Sequence, residues 1–448
     1  MPFLPICRQD LEQRRIEQLD FVYISGDAYV DHPSFGCAII TRVLEAKGFT
    51  VGVLAQPDWK RPQCFLELGV PKYAFLVSAG NLDSMVAHYT VAKQRRSKDA
   101  YSPGEKIGLR PDRAVTVYTK ILRSLCSDTP ILIGGLEASL RRFAHYDYWS
   151  DSVRPSVLEE SGADLLMYGM GEREIIQIAQ AFREGKTLEE MRDIRGTCYL
   201  VAPEETPFGC VECPGWEQIA KDKAAYAKAT RIEMDHQDEI TGRTLIQRQK
   251  HKMLVQNPPM EALTTEEMDW VYSLPYMRTY HPIYEQQGGV PAIREVEFSI
   301  THNRGCFGAC NFCSIAFHQG RKISVRSHES VVAEAKLLTQ NPHFKGYIHD
   351  VGGPTANFRH PSCAKQRTQG LCKGGKKCLA PKPCPALLAD QEDYRQLLAE
   401  VAAVPGVKKV FVRSGIRYDY LLQDKNQRFF RQLVEQHISG QLKVAPEH

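Results

Sequence analysis

Three closely spaced cysteines at the end of a predicted strand constrain this chain more than any other feature of its sequence. Cys306, Cys310 and Cys313 form a C-x3-C-x2-C pattern in the loop HNRGCFGACNFCS, which follows the predicted strand Arg294–Thr301. Thiolates this close on one loop can each bind one iron of a 4Fe–4S cluster, and Gly305 and Gly308 let the backbone curl around it. The loop contains no fourth cysteine, so one iron is left open for an exogenous ligand. A zinc site would more often show paired C-x2-C units.

The composition is that of an ordinary folded protein. The chain has 448 residues, of which 43% are hydrophobic and 25% charged, and its net charge is only +4. That balance gives no evidence of a nucleic-acid partner, although local basic patches remain possible, and no run of about 18 apolar residues predicts a membrane span. The N-terminus turns charged too quickly for a signal peptide. We therefore expect a cytoplasmic protein, in which 14 cysteines point to metal binding before disulfides.

The first part of the chain alternates short apolar runs with helical patterns. The predicted strands are Phe21–Ser25, Thr50–Ala55, Tyr73–Gly80, Pro130–Gly135 and Asp164–Gly169. The predicted helices are Cys37–Gly48, Asp83–Arg96 and Arg113–Cys126. This alternation is typical of a doubly wound α/β domain, in which ligands bind at the carboxyl ends of the strands.

Three regions follow from these patterns: an N-terminal α/β domain (1–183), a connecting helical or irregular region (184–290) and a β–α repeat (291–448). In the last region the predicted strands are Arg294–Thr301, Gly346–Gly353, Lys408–Gly415 and Gln441–Ala445. The predicted helices there begin at Ser327, near Asp390 and near Asp424. The repeat predicts a (β/α) partial barrel that stops at its fourth strand.

The cysteine loop resembles the hallmark of the radical S-adenosylmethionine superfamily, in which an aromatic residue, here Phe312, precedes the last cysteine. The segments CFGACNFCSIAFHQGRKISVRSHES, HDVGGPTANF, VRSGIRYDY and VAPEH resemble the YgiQ family of that superfamily. So do the N-terminal segments DAYVDHPSFG and GGLEASLRRFAHYDYWSDSVRPS. The resemblance covers essentially the whole chain. It implies a radical S-adenosylmethionine barrel that is incomplete here, because family members continue past this terminus.

The resemblance also implies the cofactor contacts. S-adenosylmethionine would chelate the open iron, and its reductive cleavage would give a 5′-deoxyadenosyl radical. Gly352 and Gly353 would receive the methionine amino group, unless they form only a strand-ending turn, and Phe312 would help to seat adenine. Contacts to the ribose or carboxylate are expected from Arg413, Ser414 and Arg417. We expect a reducing partner such as flavodoxin or ferredoxin.

A second set of cysteines lies in a lysine-, glycine- and proline-rich insertion at 360–386, which contains no acidic residue up to Cys384. Its members are Cys363, Cys372, Cys378 and Cys384. Four thiols in a segment too polar to form its own core suggest a second metal site, either zinc or iron–sulfur. The alternative is a flexible basic loop that covers the active site or contacts an anionic substrate.

The N-terminal domain resembles the cobalamin-binding-like domain of many radical enzymes, through GGLEAS and GMGERE. Cobalamin held by a histidine needs D-x-H-x2-G, and the nearest text, Asp31-His32 followed by Gly36, has the wrong spacing. We therefore do not expect cobalamin. The favoured hypothesis is a radical S-adenosylmethionine enzyme of unknown substrate, without an assigned catalytic side chain. The alternatives are a non-catalytic iron–sulfur redox protein and a cobalamin-dependent radical methyltransferase.

Overall fold

The computed structural model describes residues 2–438 and 440–442. The chain forms two compact units. The N-terminal unit consists of Met1–Gln237, Gly242–Met260 and Pro275–Ile293. The C-terminal unit consists of Asp238–Thr241, Glu261–Leu274 and Arg294–His448. The chain therefore passes between the units several times within 184–290, the segment that the sequence suggested as a connecting region.

A sheet of nine strands forms the centre of the N-terminal unit. The strands of this unit are β1 Phe21–Ser25, β2 Val30–Asp31, β3 Val51–Ala55, β4 Ala74–Ser78, β5 Ile131–Ile133, β6 His145–Asp147, β7 Ser152–Arg154, β8 Leu165–Met167, β9 Thr197–Val201, β10 Val211–Cys213, β11 Leu245–Arg248, β12 Met253–Gln256 and β13 Thr279–Tyr280. The sheet has the order β10-β11-β12-β9-β8-β5-β4-β1-β3. Its β3-β1-β4-β5-β8 part is parallel, which confirms the predicted α/β fold.

Helices cover both faces of this sheet. They are Arg8–Arg14, Gly36–Ala46, Ser84–His88, Ala114–Leu125, Gly135–Leu140, Val157–Ser161, Glu172–Arg183, Trp216–Lys221 and Lys223–Asp235. Successive side chains of a strand point to opposite faces. Val22 of β1 lies in one core with Tyr118 of Ala114–Leu125, whereas the ring of Phe21 is 6.3 Å from Phe182 of Glu172–Arg183. The sheet is therefore doubly wound, as expected.

The predicted helix Asp83–Arg96 is wrong in its length. Only Ser84–His88 is helical, capped by the Asp83 carboxylate, which accepts the backbone N–H groups of the second and third helical residues. Tyr89 is already extended and pairs with Arg95. The β-branched residues at 90 and 91 favour that extended backbone over another helical turn.

The sheet continues past residue 183, where the sequence suggested a domain boundary. Strand β9 pairs antiparallel with β8, and β12 pairs antiparallel with β9. Strands β11 and β10 extend the same edge. Most of the segment 184–260 is therefore built onto the N-terminal sheet. These strands are only three to five residues long and lie within a mixed, polar segment. A run this short does not by itself indicate a strand.

The crevice at the carboxyl ends of β1 and β4 is filled by the chain itself. The connections leave β1 and β4 in opposite directions along the sheet, which is where doubly wound sheets bind ligands. Here the buried Arg110 guanidinium donates to Asp27 Oδ1 (2.6 Å), to the carbonyl oxygen of Ala79 (2.8 Å) and to Asp99 Oδ2 (2.8 Å). Burial raises the pKa of Asp27 to about 6, although the Arg110 charge acts in the opposite direction.

The C-terminal unit shows the predicted β–α alternation. Its strands are β14 Ser299–Thr301, β15 Asn303–Arg304, β16 Ser324–Val325, β17 Tyr347–Ile348, β18 Asp350–Gly352 and β19 Lys409–Val410. Its helices are Thr265–Ser273, Ile315–Gln319, His328–Thr339, Ala364–Gln369, Glu392–Ala402, Tyr418–Leu421 and Arg428–Gln432, followed by the π-helical turn Leu433–His437. The short helix Ile293–Val296 occupies the start of the predicted first strand. Strands β14 and β18 are parallel, as are β17 and β19.

The predicted second strand, Gly346–Gly353, is divided at His349 into β17 and β18. One part pairs with the third strand and the other part pairs with the first. The predicted fourth strand, Gln441–Ala445, runs past position 442, where the described residues end, and the VAPEH segment lies wholly outside them. Within the described part of the chain, no helix combines the length and the apolar character that crossing a membrane requires.

Candidate functional site

The cysteine loop of the C-terminal unit follows the short strand β15, which comes just after β14, and leads into the helix Ile315–Gln319. Gly305 starts the loop with φ +82°, and a Cβ added there would lie 1.9 Å from the carbonyl oxygen of Lys322. The Cys306 N–H group then donates to the carbonyl oxygen of Gly320 at 3.1 Å. A glycine is therefore required at 305, as the sequence predicted, for both its left-handed backbone and its close approach.

The three thiols of the loop differ in their surroundings. Cys306 is buried, and its Sγ lies 3.3 Å from Thr355 Oγ1. Burial raises the pKa of the Cys306 thiol, and the contact with Thr355 partly offsets that effect. Cys310 and Cys313 are partly exposed, and the N–H group of Cys313 donates to the carbonyl oxygen of Cys310 at 3.2 Å.

No three Cys, His, Asp or Glu side chains among residues 2–438 and 440–442 are arranged to hold a single metal ion. A 4Fe–4S cluster makes a different demand on its ligands, because each thiolate binds its own iron. The assignment of Cys306, Cys310 and Cys313 to such a cluster therefore stays a prediction.

Stacked aromatic rings pack against the cysteine loop. Phe307 is fully buried, and its ring stacks on Phe358 with centroids 3.7 Å apart. Tyr420 meets both rings edge-on, at 5.5 and 5.1 Å. These side chains belong to one small core with Cys306. The first cysteine is therefore fixed by packing, whereas the later two lie on the outer part of the loop.

The predicted glycine pair ends β18 beside the start of the cysteine loop. Gly352 pairs with Thr301, the last residue of β14. A Cβ added to Gly352 would lie 2.1 Å from Ser414 Oγ, and one added to Gly353 would lie 1.7 Å from Asn303 Oδ1. Both glycines are required by close approach, and their contact with S-adenosylmethionine stays a prediction.

Asn303 carries a polar atom that the protein does not satisfy. Its Nδ2 donates to the carbonyl oxygens of Thr355 (3.1 Å) and Phe358 (2.6 Å). Its Oδ1 is buried without a hydrogen-bond partner among the residues that the structure describes. Neither Asn303 nor Thr355 stands out in the sequence, where the available signal is only that each is polar and adjoins a motif. A buried acceptor left open beside the glycine pair is a feature that a bound ligand would explain.

The other predicted cofactor contacts are divided between the site and the surface. Ser414 hydrogen-bonds the Asp350 carboxylate through its hydroxyl group, and the backbone N–H groups of Arg413 (2.8 Å) and Ser414 (3.1 Å) donate to Asp350 Oδ1. Burial raises the pKa of Asp350, and these hydrogen bonds act against that effect. The side chain of Arg413 is exposed. The ring of Phe312 is 71% exposed, and its contact with adenine stays a prediction.

Arg417 lies closer to the cysteines than its predicted role suggested. Its Nη1 is 3.0 Å from Cys310 Sγ. A Cβ added to Gly308 would lie 2.7 Å from the same nitrogen and 3.3 Å from Cys306 Sγ. The second glycine of the loop therefore makes room for a guanidinium group against the thiols.

The cysteine-rich insertion packs against the cysteine loop. Leu379 is buried in the core that contains Cys306 and Phe307. Lys377 Nζ donates to Asn311 Oδ1 within the loop at 2.8 Å. The insertion is too polar to form a hydrophobic core by itself, so it packs its Leu379 side chain into the core beneath the cysteine loop.

Three of the four insertion cysteines lie near one another. Burial raises the pKa of the Cys378 thiol, and the charges of Cys363 and Cys384 act in the same direction. Cys372 is exposed, with its Sγ 3.6 Å from Lys365 Nζ. A second metal site in the insertion stays a prediction.

Comparison with known proteins identifies close relatives of the whole chain. A family model described as Radical SAM N-terminal matches residues 3–299. A UPF0313 protein of Clostridium botulinum (strain Loch Maree) is 56% identical over 448 residues, which cover 100% of this chain and 69% of the relative. A UPF0313 protein of Clostridium perfringens (strain 13) is 52% identical over 447 residues, which cover 100% of this chain and 67% of the relative.

Two solved structures show a more distant likeness. The methyltransferase TsrM from Kitasatospora setae, solved with cobalamin and a 4Fe–4S cluster, gives a TM-score of 0.41 at 16% identity over 88% of this chain. OxsB, solved with aqua-cobalamin and S-adenosylmethionine, gives 0.42 at 11% identity over 90% of this chain. The matches span 58% and 45% of those two proteins. The expectation that this chain does not bind cobalamin stays a prediction.

Proposed function

This chain belongs to the UPF0313 family of YgiQ-like radical S-adenosylmethionine proteins, and on that premise we propose that it is a radical S-adenosylmethionine enzyme. The observation that carries the proposal is the position of the cysteine loop. The loop follows the first of three parallel β–α strands and adjoins the glycine pair that ends the second strand. In barrels of this kind, sites form at the carboxyl ends of the strands.

Cys306, Cys310 and Cys313 are proposed to hold a 4Fe–4S cluster. The donor set suits iron–sulfur chemistry, because three thiols on one loop can bind three irons and leave the fourth open. Cys306 would anchor the cluster from the packed side of the loop, where Thr355 faces its sulfur. Cys310 and Cys313 lie on the more exposed side, from which a cluster can be inserted.

S-adenosylmethionine is proposed to bind beside the glycine pair. When bound together, the cluster and S-adenosylmethionine would supply a 5′-deoxyadenosyl radical by one-electron cleavage of the sulfonium. Asn303 Oδ1 is a buried acceptor without a partner among the described residues, and it would accept a hydrogen bond from the methionine amino group. Gly353 places no side chain against that oxygen, and Gly352 makes room for Ser414 and Asp350 beside it. Ser414 would keep the neighbouring Asp350 in place.

The remaining assignments extend this proposal. The electron would come from a low-potential partner such as flavodoxin or ferredoxin, and the protein would work in the cytoplasm, where thiols stay reduced. Arg413 and Phe312, exposed in this structure, would contact S-adenosylmethionine only after a rearrangement of their loops. The insertion cysteines would hold a second metal. The net charge of +4 gives no evidence of a nucleic-acid substrate.

The test is anaerobic reconstitution with iron and sulfide, followed by an iron count and EPR spectra of the reduced protein with and without S-adenosylmethionine. We expect at least about four irons per chain and a signal that changes when S-adenosylmethionine is added. A Cys310→Ala variant should lose that signal. Cys210→Ala is the matched control, because Cys210 lies outside the site in the N-terminal unit.

The possible outcomes separate the alternatives. A cluster whose spectrum does not respond to S-adenosylmethionine would favour the non-catalytic iron–sulfur protein. Cobalamin absorbance retained after reconstitution with that cofactor would favour the methyltransferase. An equal loss of the signal in the Cys210→Ala control would mean that the loop is not the binding site.

A further inference from the structure

Arg417 is held in one orientation by its neighbours in the C-terminal unit. Its Nε and Nη2 donate to the two carboxylate oxygens of Asp419, at 2.6 and 2.9 Å. Asn357 fixes the backbone on both sides, since its Oδ1 accepts the Arg417 N–H group (2.9 Å) and its Nδ2 donates to the Arg417 carbonyl oxygen (3.3 Å). The remaining nitrogen, Nη1, points at Cys310 Sγ from 3.0 Å.

This arrangement keeps a positive charge beside one sulfur. The side chain of Arg417 is only 5% exposed. Its guanidinium group is charged at physiological pH, because arginine does not lose its proton there. Gly308 is the residue that admits it, because a Cβ there would overlap Nη1.

We propose that Arg417 is a positioning residue that sets the reduction potential of the cluster by donating a hydrogen bond to the Cys310 sulfur. The inference rests on the proposed function and concerns which reductant that site requires. Reduction adds one electron from the low-potential partner to the cluster, and no bond is formed or broken. A hydrogen bond and a positive charge at a ligand sulfur stabilise the more negative, reduced cluster. Arg417 therefore raises the potential, and Asp419 limits the increase.

The test is an EPR-monitored redox titration of the reconstituted full chain and four variants. Arg417→Gln removes the charge, and we expect the ratio of reduced to oxidised cluster at a fixed potential to fall about tenfold, which is about 59 mV for a one-electron couple. Arg417→Lys keeps the positive charge but loses the paired hydrogen bonds to Asp419. The potential of its cluster should therefore lie between those of the wild type and Arg417→Gln. Asp419→Asn removes the counter-charge and should shift the potential in the opposite direction. Arg431→Gln is the control, because Arg431 is exposed on a separate helix.

Shifts of the reduction potential in opposite directions in Arg417→Gln and Asp419→Asn, with equal iron contents, would support the inference. A merely structural role of these residues would not give potential shifts of opposite sign. Equal potentials in these variants and the wild type would overturn the inference and leave the proposed function standing. A wild-type chain that binds no cluster would overturn both. If Arg417→Gln alone fails to bind iron, the potentials of Arg417→Lys and Asp419→Asn decide in the same way.

Discussion

Replacing Gly305 by alanine should destabilise the cysteine loop more than any strain in the backbone alone would. Gly305 has φ +82°, and a left-handed conformation costs an alanine about 1–2 kcal/mol. The added Cβ would also lie 1.9 Å from the carbonyl oxygen of Lys322, and relieving such an overlap typically costs about 1–3 kcal/mol. The free energy of unfolding of the C-terminal unit should therefore fall by about 2–5 kcal/mol.

Gly162→Ala separates the two contributions. Gly162 has φ +76° at the end of the helix Val157–Ser161, but an added Cβ would meet no atom within 4 Å. This control should lose only the conformational term, about 1–2 kcal/mol. Urea unfolding followed by circular dichroism compares the two variants with the wild type, and the iron content after reconstitution gives a second measurement. Iron should fall in Gly305→Ala and stay at the wild-type value in Gly162→Ala.

Two results would refute this reasoning. If Gly305→Ala is destabilised no more than Gly162→Ala, the contact with Lys322 does not restrict residue 305. If Gly305→Ala is destabilised but binds iron as well as the wild type, the backbone path through Gly305 does not shape the cluster site.

Three further predictions test other parts of the structure. Phe307→Ala should lower the free energy of unfolding by about 3–5 kcal/mol, because the ring is fully buried; in urea unfolding the exposed control Phe208→Ala should stay within about 0.5 kcal/mol of the wild type. Burial raises the pKa of Glu174 to about 8, so the folded state keeps a proton that the unfolded state releases near pH 4.5. The free energy of unfolding should therefore fall by about 3 kcal/mol as the pH rises from 4.5 to 7. Urea unfolding at several pH values should show this decrease in the wild type and not in Glu174→Gln. Metal analysis of the reconstituted chain should find metal beyond about four irons that is lost when Cys363 and Cys384 are both replaced by serine, and equal metal contents would contradict a second site.

The position of the cysteine loop could be predicted from the sequence because local signals agreed. An alternating strand pattern, a glycine and three cysteines occur together, and the structure has Ser299–Thr301, Gly305 with φ +82° and Cys306 in that order. The strands of the parallel sheet were equally predictable. Their residues are buried on both faces, so they form continuous apolar runs.

The contacts around the loop could not be predicted, because they depend on residues distant in sequence. Arg417 lies 107 positions from Cys310, and nothing in its own segment indicates that its guanidinium group faces a sulfur. Asn303 became a candidate only when its Oδ1 proved to be buried without a partner among the described residues. The helix predicted over Asp83–Arg96 failed for a local reason, since Tyr89 is extended and pairs back with Arg95 in place of a further helical turn.

The buried contacts of Arg110 restrict what the N-terminal sheet can accept as a ligand. A molecule that enters between the ends of β1 and β4 must displace a guanidinium group held by Asp27 and Asp99. Breaking such a buried pair costs about 3–5 kcal/mol, which weakens the apparent affinity of the ligand by about a hundredfold to a few thousandfold. The two carboxylates that remain would select for cationic or hydrogen-bond-donating groups and would repel phosphate. Dinucleotide-binding sheets keep this crevice open for a pyrophosphate. In this chain the same crevice is lined by two carboxylates and occupied by the guanidinium group of Arg110.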